Sequence, residues 1–123
     1  MAEEKKKRFT KRSLPAPVRL AVEACLARKA EDLCVLDLRE LSSFTDFFLV
    51  TNGNSSRQNA AVAEAVEAAL KPAGLRPLSV EGRESAEWVL LDYGWIVVHV
   101  FSRAARDHYA LEKLWGDAPR VDF

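Results

Sequence analysis

The feature that most constrains the fold of this chain is residues 88–101, WVLLDYGWIVVHVF, in which two apolar runs flank a short break. Aliphatic and aromatic residues at this density favour β-strands, and a glycine between two such runs is typical of a β-hairpin. With Tyr93 and Gly94 as a two-residue loop, cross-strand pairing begins with Asp92 opposite Trp95. The segment therefore predicts two antiparallel strands.

Side chains alternate between the two faces of a strand, so this hairpin has two predicted faces. The aliphatic face, which predicts the core, holds Val89, Leu91, Ile96, Val98 and Val100. The opposite face holds Trp88, Leu90, Asp92, Trp95, Val97 and His99. Left in water, this second face would be a large apolar patch for a monomer. Either helices of the same chain cover it, or a partner protein does, since indole rings with a few charges are typical of interface hot spots.

The remaining segments predict alternating helices and strands. The predicted elements are a helix from Pro15 to about Glu31, strands at 33–38 and 46–51, a helix capped by Ser55 that runs to about Lys71, a strand within 75–82, and a final helix at 102–115. This order predicts a single α/β domain with a mixed sheet of about five strands flanked by helices. The long helix between the second and third strands permits parallel pairing there.

The domain boundaries follow from charge and pattern. We expect a basic disordered tail at 1–14, a folded domain at 15–117 and a C-terminal tail at 118–123. The net charge is zero, yet residues 1–12 carry six basic and two acidic side chains, a local net charge of +4. Such a tail attracts RNA phosphates, although tails of this kind are more often only solvated.

The pattern disfavours catalysis and metal binding. Cys25 and Cys34 have no CxxC or Cys/His spacing, so they are interpreted as small buried hydrophobes. In the predicted hairpin, Asp92 and His99 are too far apart for direct contact. The open alternative is an enzyme that uses Asp37, Asp46 or Asp92, because two-metal phosphoryl transfer needs paired carboxylates.

The chain has no predicted membrane segment. No apolar run approaches the roughly 20 residues that span a bilayer. The N-terminal charges are not followed by an apolar segment, so a secretory signal is not expected. A cytoplasmic protein is the simplest expectation.

Several segments together resemble one protein family. The segments are TDFFLVTNGNSSRQ (45–58), VEG (80–82), WVLLDYG (88–94), VVHVF (97–101) and YALEKLW (109–115). In this order they resemble the ribosomal silencing factor family, also called Iojap-like or RsfS, and the similarity runs from about residue 16 to about residue 115.

The resemblance implies a fold related to nucleotidyltransferases but no enzymatic activity, and hence no catalytic, cofactor or metal residues. It implies binding to protein uL14 of the large ribosomal subunit, which blocks the small subunit and represses translation under nutrient limitation. It also implies that this chain can form a homodimer, as in some members of the family. The implied contact surface includes Trp88, Asp92 and Tyr93, and we expect Trp95 and His99 to join it. At Trp95 the chain departs from the family, which usually has an acid there.

Overall fold

A six-stranded mixed sheet organises residues 10–123, the part of the chain that the computed structural model describes. The strands are β1 (Glu31–Asp37), β2 (Phe47–Gly53), β3 (Ser79–Glu81), β4 (Trp88–Asp92), β5 (Ile96–Ser102) and β6 (Arg120–Asp122). They lie in the order β3-β4-β5-β2-β1-β6. Strands β2 and β5 are parallel, and all other neighbours are antiparallel. The predicted α/β class and mixed sheet are confirmed, with one strand more than expected. The parallel partner of β2 is not the third strand of the chain but β5.

Two longer helices cover one side of the sheet, which we call the first side. They are α1 (Ala16–Ala27) and α2 (Ser56–Leu70), and they pack against each other. Pro17 lies in the first turn of α1, where its missing N–H costs nothing. The Ser55 hydroxyl accepts the Gln58 N–H at 3.0 Å and caps α2, as the sequence predicts.

The aliphatic face of the hairpin lies against these helices. Its five residues, Val89, Leu91, Ile96, Val98 and Val100, are all fully buried in the larger core cluster. Val62, Val66 and Leu70 form the inward stripe of α2 that meets the sheet. The predicted core face is therefore confirmed.

Both cysteines are buried and free of disulfides. Burial raises the pKa of Cys25 to about 12 and that of Cys34 to about 11. A thiol with so high a pKa is a poor nucleophile at neutral pH. Their interpretation as small buried hydrophobes is confirmed.

The hairpin register differs from the prediction by two residues. Asp92 pairs with Val97 rather than with Trp95, and the Tyr93 N–H donates to the Ile96 carbonyl oxygen at 2.8 Å. Gly94 adopts a φ of +88°, and its N–H donates to Asp92 Oδ1 at 2.7 Å. The two-residue loop is therefore Gly94 and Trp95, one residue later in the chain than predicted. The Asp92 carboxylate stabilises it by accepting the Gly94 N–H. A shift of two residues leaves every strand residue on its predicted face.

The C-terminal region also departs from prediction. The final helix is divided into α3 (Arg103–Tyr109) and α4 (Leu111–Leu114), because Ala110 adopts a left-handed conformation with a φ of +46°. Residues 118–123, predicted as a tail, include β6, which pairs antiparallel with β1. Strand β6 has only three residues, and only Val121 is buried. Its alternation of apolar and polar residues is therefore too short to predict a strand from the sequence.

The N-terminal prediction is tested only in part. Residues 1–9 of the predicted basic tail lie outside the described residues. Within the tail, Lys11–Ser13 form a short 3-10 helix, and Leu14 is buried in the core. The folded domain therefore begins before the predicted boundary at residue 15. In residues 10–123, no helix has the length and apolar character needed to cross a bilayer.

Candidate protein-binding face

The side of the sheet opposite α1 and α2, which we call the second side, is only partly covered. Helix α3 contacts β5 and β2, and Ala105, Leu111 and Ala118 pack over a smaller core cluster there. Alternate residues of β4 on this side remain partly exposed, namely Trp88, Leu90 and Asp92. The central strands are thus sheltered, while β4 is left accessible.

A buried ion pair fixes the C-terminal helices to the second side. The Arg106 side chain is 5% exposed, and its Nη2 lies 3.0 Å from Glu112 Oε2. Arg106 Nη1 also donates to Asn52 Oδ1 of β2 at 2.8 Å. Arg106 therefore joins α3 to the sheet and to α4.

Aromatic rings form a connected cluster across the second side, which we call the aromatic face. Its members are Phe44, Phe48, Trp88, His99, Phe101, Tyr109 and Trp115. At one end the ring centroids of Trp88 and Tyr109 lie 4.4 Å apart, and at the other those of Phe44 and Trp115 lie 6.3 Å apart. Phe44 is 63% exposed and Tyr109 is 49% exposed. Phe48, His99 and Phe101 are buried, so the accessible part of the cluster consists of Phe44, Trp88, Tyr109 and Trp115. Exposed apolar rings grouped in this way are typical of interaction surfaces.

Two carboxylates flank the aromatic face. Asp92 of β4 pairs with Ser79 of β3, and Glu81 of β3 pairs with Leu90. Paired residues in antiparallel strands point to the same side, so Glu81 and Asp92 both lie on the second side. Within residues 10–123, neither forms an ion pair. Among residues 10–123, the face thus combines accessible aromatic rings with negative charge that no ion pair neutralises.

Trp88 and His99 are hydrogen-bonded to each other on this face. Trp88 Nε1 donates to His99 Nδ1 at 3.1 Å. His99 is 3% exposed, and burial lowers its pKa from 6.5 to about 3, so the imidazole is neutral at physiological pH. The single ring proton then lies on Nε2, which is buried without a hydrogen-bond partner in the described residues.

The burial of His99 predicts a pH-dependent stability. Its pKa is 6.5 in the unfolded chain and about 3 in the folded protein, so the unfolded state binds the proton first as the pH falls. His99 therefore destabilises the fold progressively from about pH 6.5 towards about pH 3. We expect the free energy of unfolding to fall by about 1 kcal/mol from about pH 6 to about pH 5. Urea denaturation at each pH measures this fall. The His99→Leu variant should lack it, and an equal fall in that variant would contradict the assignment.

The structure does not bring all five predicted binding residues together. Trp88, Asp92 and His99 lie on the second side, but Tyr93 and Trp95 pack with the first core. The Trp95 ring lies 6.2 Å from the Phe47 ring in an edge-on arrangement. The predicted placement of Trp95 on the second face is wrong, because Trp95 is in the turn, where strand alternation does not apply.

Tyr93 is buried on the first side of the sheet. Burial, with a further contribution from the Glu67 carboxylate, raises its pKa to about 12. Its hydroxyl is buried without a hydrogen-bond partner in the described part of the chain. Tyr93 therefore supports the hairpin from beneath and is not presented to the aromatic face.

Sequence reasoning missed five members of the aromatic face: Phe44, Phe48, Phe101, Tyr109 and Trp115. Phe44 comes from the loop between β1 and β2, whereas Tyr109 and Trp115 come from the C-terminal helical region. No periodicity links these segments, because only the tertiary fold brings them together. The available signal was local, namely large aromatic residues within otherwise polar stretches such as SSFTD.

Of the acids considered for catalysis, Asp92 lies on the opposite side of the sheet from Asp37, whereas Asp46 and Asp37 both lie near Arg39. Asp37 pairs with Phe47, whose ring lies in the first core, whereas Asp92 pairs with Val97 on the second side. Asp37 also forms an ion pair with Arg39 at 2.7 Å. In residues 10–123, no three His, Cys, Asp or Glu side chains are arranged to hold a metal ion.

The fold and the aromatic face place this chain among single-domain α/β proteins in which helices leave part of one side of the sheet accessible. Within this class, a family model described as "Ribosomal silencing factor during starvation" matches residues 11–123. The chain belongs to this family, the ribosomal silencing factors known as RsfS.

Individual relatives agree with the family match. The ribosomal silencing factor RsfS of Bacillus subtilis is 42% identical over 105 residues, which cover 85% of this chain and 89% of the relative. A crystal structure of a Chromobacterium violaceum protein has a TM-score of 0.79 and 44% identity, covering 81% of this chain and 83% of that one. The mouse protein named "Mitochondrial assembly of ribosomal large subunit protein 1" is 30% identical, covering 70% of this chain and 39% of its own length. The nucleotidyltransferase likeness stays a prediction.

Proposed function

We propose that this protein binds protein uL14 of the large ribosomal subunit through its aromatic face and thereby blocks association with the small subunit. Its effect is to repress translation under nutrient limitation, and it acts in the cytoplasm. The proposal requires no catalysis, because a protein bound at the subunit interface excludes the other subunit by occupying its space.

The observation that carries this proposal is the aromatic face with its flanking acids. Trp88, Tyr109, Phe44 and Trp115 supply large, rigid contact area that loses little conformational entropy on binding. Asp92 and Glu81 supply negative charge beside it. A basic partner surface, of the kind that faces ribosomal RNA, complements that charge and is steered towards it.

Family membership supports the choice of partner. The family model is named for ribosomal silencing, and the name of the mouse relative refers to the large ribosomal subunit. Asp92 and Trp88 are the contacts that the family motif implies, and both lie on the second side of the sheet. We therefore place the centre of the uL14 footprint on β4.

Two further contacts belong to this proposal. The basic N-terminal segment, including Lys11 and Arg12, contacts ribosomal RNA through its positive charge. A homodimer is the second, formed when two copies cover each other's apolar surface before the ribosome is met. The RNA contact adds to binding, whereas the homodimer must dissociate before the aromatic face can meet uL14.

Cosedimentation with separated ribosomal subunits tests the proposal. The protein is expected to sediment with large subunits and not with small subunits, and isolated uL14 is expected to compete for it. Equal sedimentation with both subunits would indicate non-specific binding to RNA. Sedimentation with large subunits that excess uL14 does not reduce would contradict the assigned partner.

A further inference from the structure

The Trp88 side chain is held from two sides on the aromatic face. Its ring centroid lies 4.4 Å from that of Tyr109 and 4.9 Å from that of Phe101. Its Nε1 donates to His99 Nδ1 at 3.1 Å. Trp88 is only partly buried, so these contacts orient a ring that still meets solvent.

The acceptor of that hydrogen bond is itself immobilised. The His99 ring lies parallel to Phe101, with an interplanar angle of 8°, and edge-on to Phe48, with ring centroids 4.5 Å apart. His99 is also only 3% exposed, so its side chain is shielded from solvent. A protonated imidazole has two N–H donors and no acceptor, so only the neutral ring can receive the indole proton.

This arrangement has a consequence for binding. The indole has a single polar atom, and that atom is satisfied inside the protein. A partner therefore meets an apolar ring that is already oriented and needs no hydrogen bond. Binding to an ordered side chain avoids the entropy cost of ordering it during association.

We propose that His99 is a positioning residue for docking: its Nδ1 accepts the Trp88 N–H and holds the indole in the orientation that the partner recognises. The inference rests on the proposed function, because it assumes that Trp88 lies within the uL14 footprint. His99 itself does not touch the partner, since it lies beneath the surface.

Two variants of His99 test the role. His99→Leu replaces the acceptor with an apolar side chain. His99→Asn keeps an acceptor in the same place, because the carboxamide oxygen of asparagine is bonded to Cγ, as Nδ1 is in histidine. In His99→Leu, the Trp88 indole proton should shift and exchange faster in ¹H–¹⁵N NMR of the free protein, and uL14 affinity should fall about three- to tenfold. His99→Asn should restore both. His99→Gln should restore neither the indole signal nor the affinity, because its oxygen lies one bond further from the backbone. This variant takes the place of His99→Leu if the leucine variant fails to fold.

A core variant on the first side of the sheet separates positioning from stability. Val62→Ala destabilises the fold while leaving the aromatic face untouched, so its uL14 affinity should equal that of wild type. Equal loss of affinity in Val62→Ala and His99→Leu would overturn the proposal, as would a leucine variant with unchanged indole exchange and affinity. If wild type does not bind uL14, the proposed function fails and the docking role of His99 with it. The indole exchange then still decides whether His99 orders Trp88.

Discussion

Asp92→Arg is expected to lower affinity for uL14 by about 100-fold or more, and Trp88→Ala by a similar factor, while both variants stay folded. Reversing the charge places a cation against a basic partner, where like charges cost several kcal/mol. Truncating Trp88 removes the ring that contacts Tyr109 and Phe101 at one end of the aromatic face. Titration of labelled protein with purified uL14 measures both affinities.

Asp92 also accepts the Gly94 N–H, so a control must separate the turn from the charge. Asp92→Asn keeps an oxygen that can accept from Gly94 but removes the negative charge, and its affinity should be intermediate. Glu64→Arg makes the same charge reversal on the exposed surface of α2, on the first side of the sheet. That variant should bind like wild type. Equal losses in Glu64→Arg and Asp92→Arg would show that net charge, not the aromatic face, governs binding.

The second large effect is expected at the buried ion pair. Glu112→Ala leaves the Arg106 guanidinium buried without its counter-charge, and breaking such a pair costs about 3–5 kcal/mol. We expect about 3 kcal/mol, the lower end of that range, because Glu112 is itself partly exposed. Guanidinium denaturation measures the loss, and hydrogen exchange should localise it to α3 and α4.

Arg103→Ala provides the matched control for that effect. Arg103 forms an ion pair with Asp32, but both side chains are more than half exposed. Water and salt screen a pair that is this exposed, so removing it should leave the variant denaturing close to wild type. A Glu112→Ala variant no less stable than Arg103→Ala would show that the Arg106 pair does not hold the C-terminal helices in place.

The hairpin shows how far a local pattern predicts this fold. Alternation placed Val89, Leu91 and Val98 in the core and Trp88 and Asp92 on the other side, because the pleat fixes direction within a strand. The turn could not be predicted in the same way, since its register depends on the hydrogen bond from Gly94 to the Asp92 carboxylate.

The rest of the aromatic face could not be read from any local pattern. Phe44 and Trp115 are far apart in the chain, and they meet because β2 lies at the centre of the sheet and the C-terminal segment crosses back over it. The positive φ of Ala110 and the three-residue strand β6 are likewise decided by tertiary contacts. Trp95 was predicted on the wrong face because it lies in the hairpin loop, where side chains do not alternate between the two faces as they do within a strand.

The most direct test of the central claim is a subunit-joining assay followed by light scattering. Purified small and large subunits are mixed at a magnesium concentration that supports joining, with the large subunits first incubated with the protein. Wild type is expected to suppress joining in proportion to the large subunits it occupies, while Asp92→Arg at the same concentration leaves joining intact. Full joining by large subunits that are saturated with wild-type protein would contradict the account.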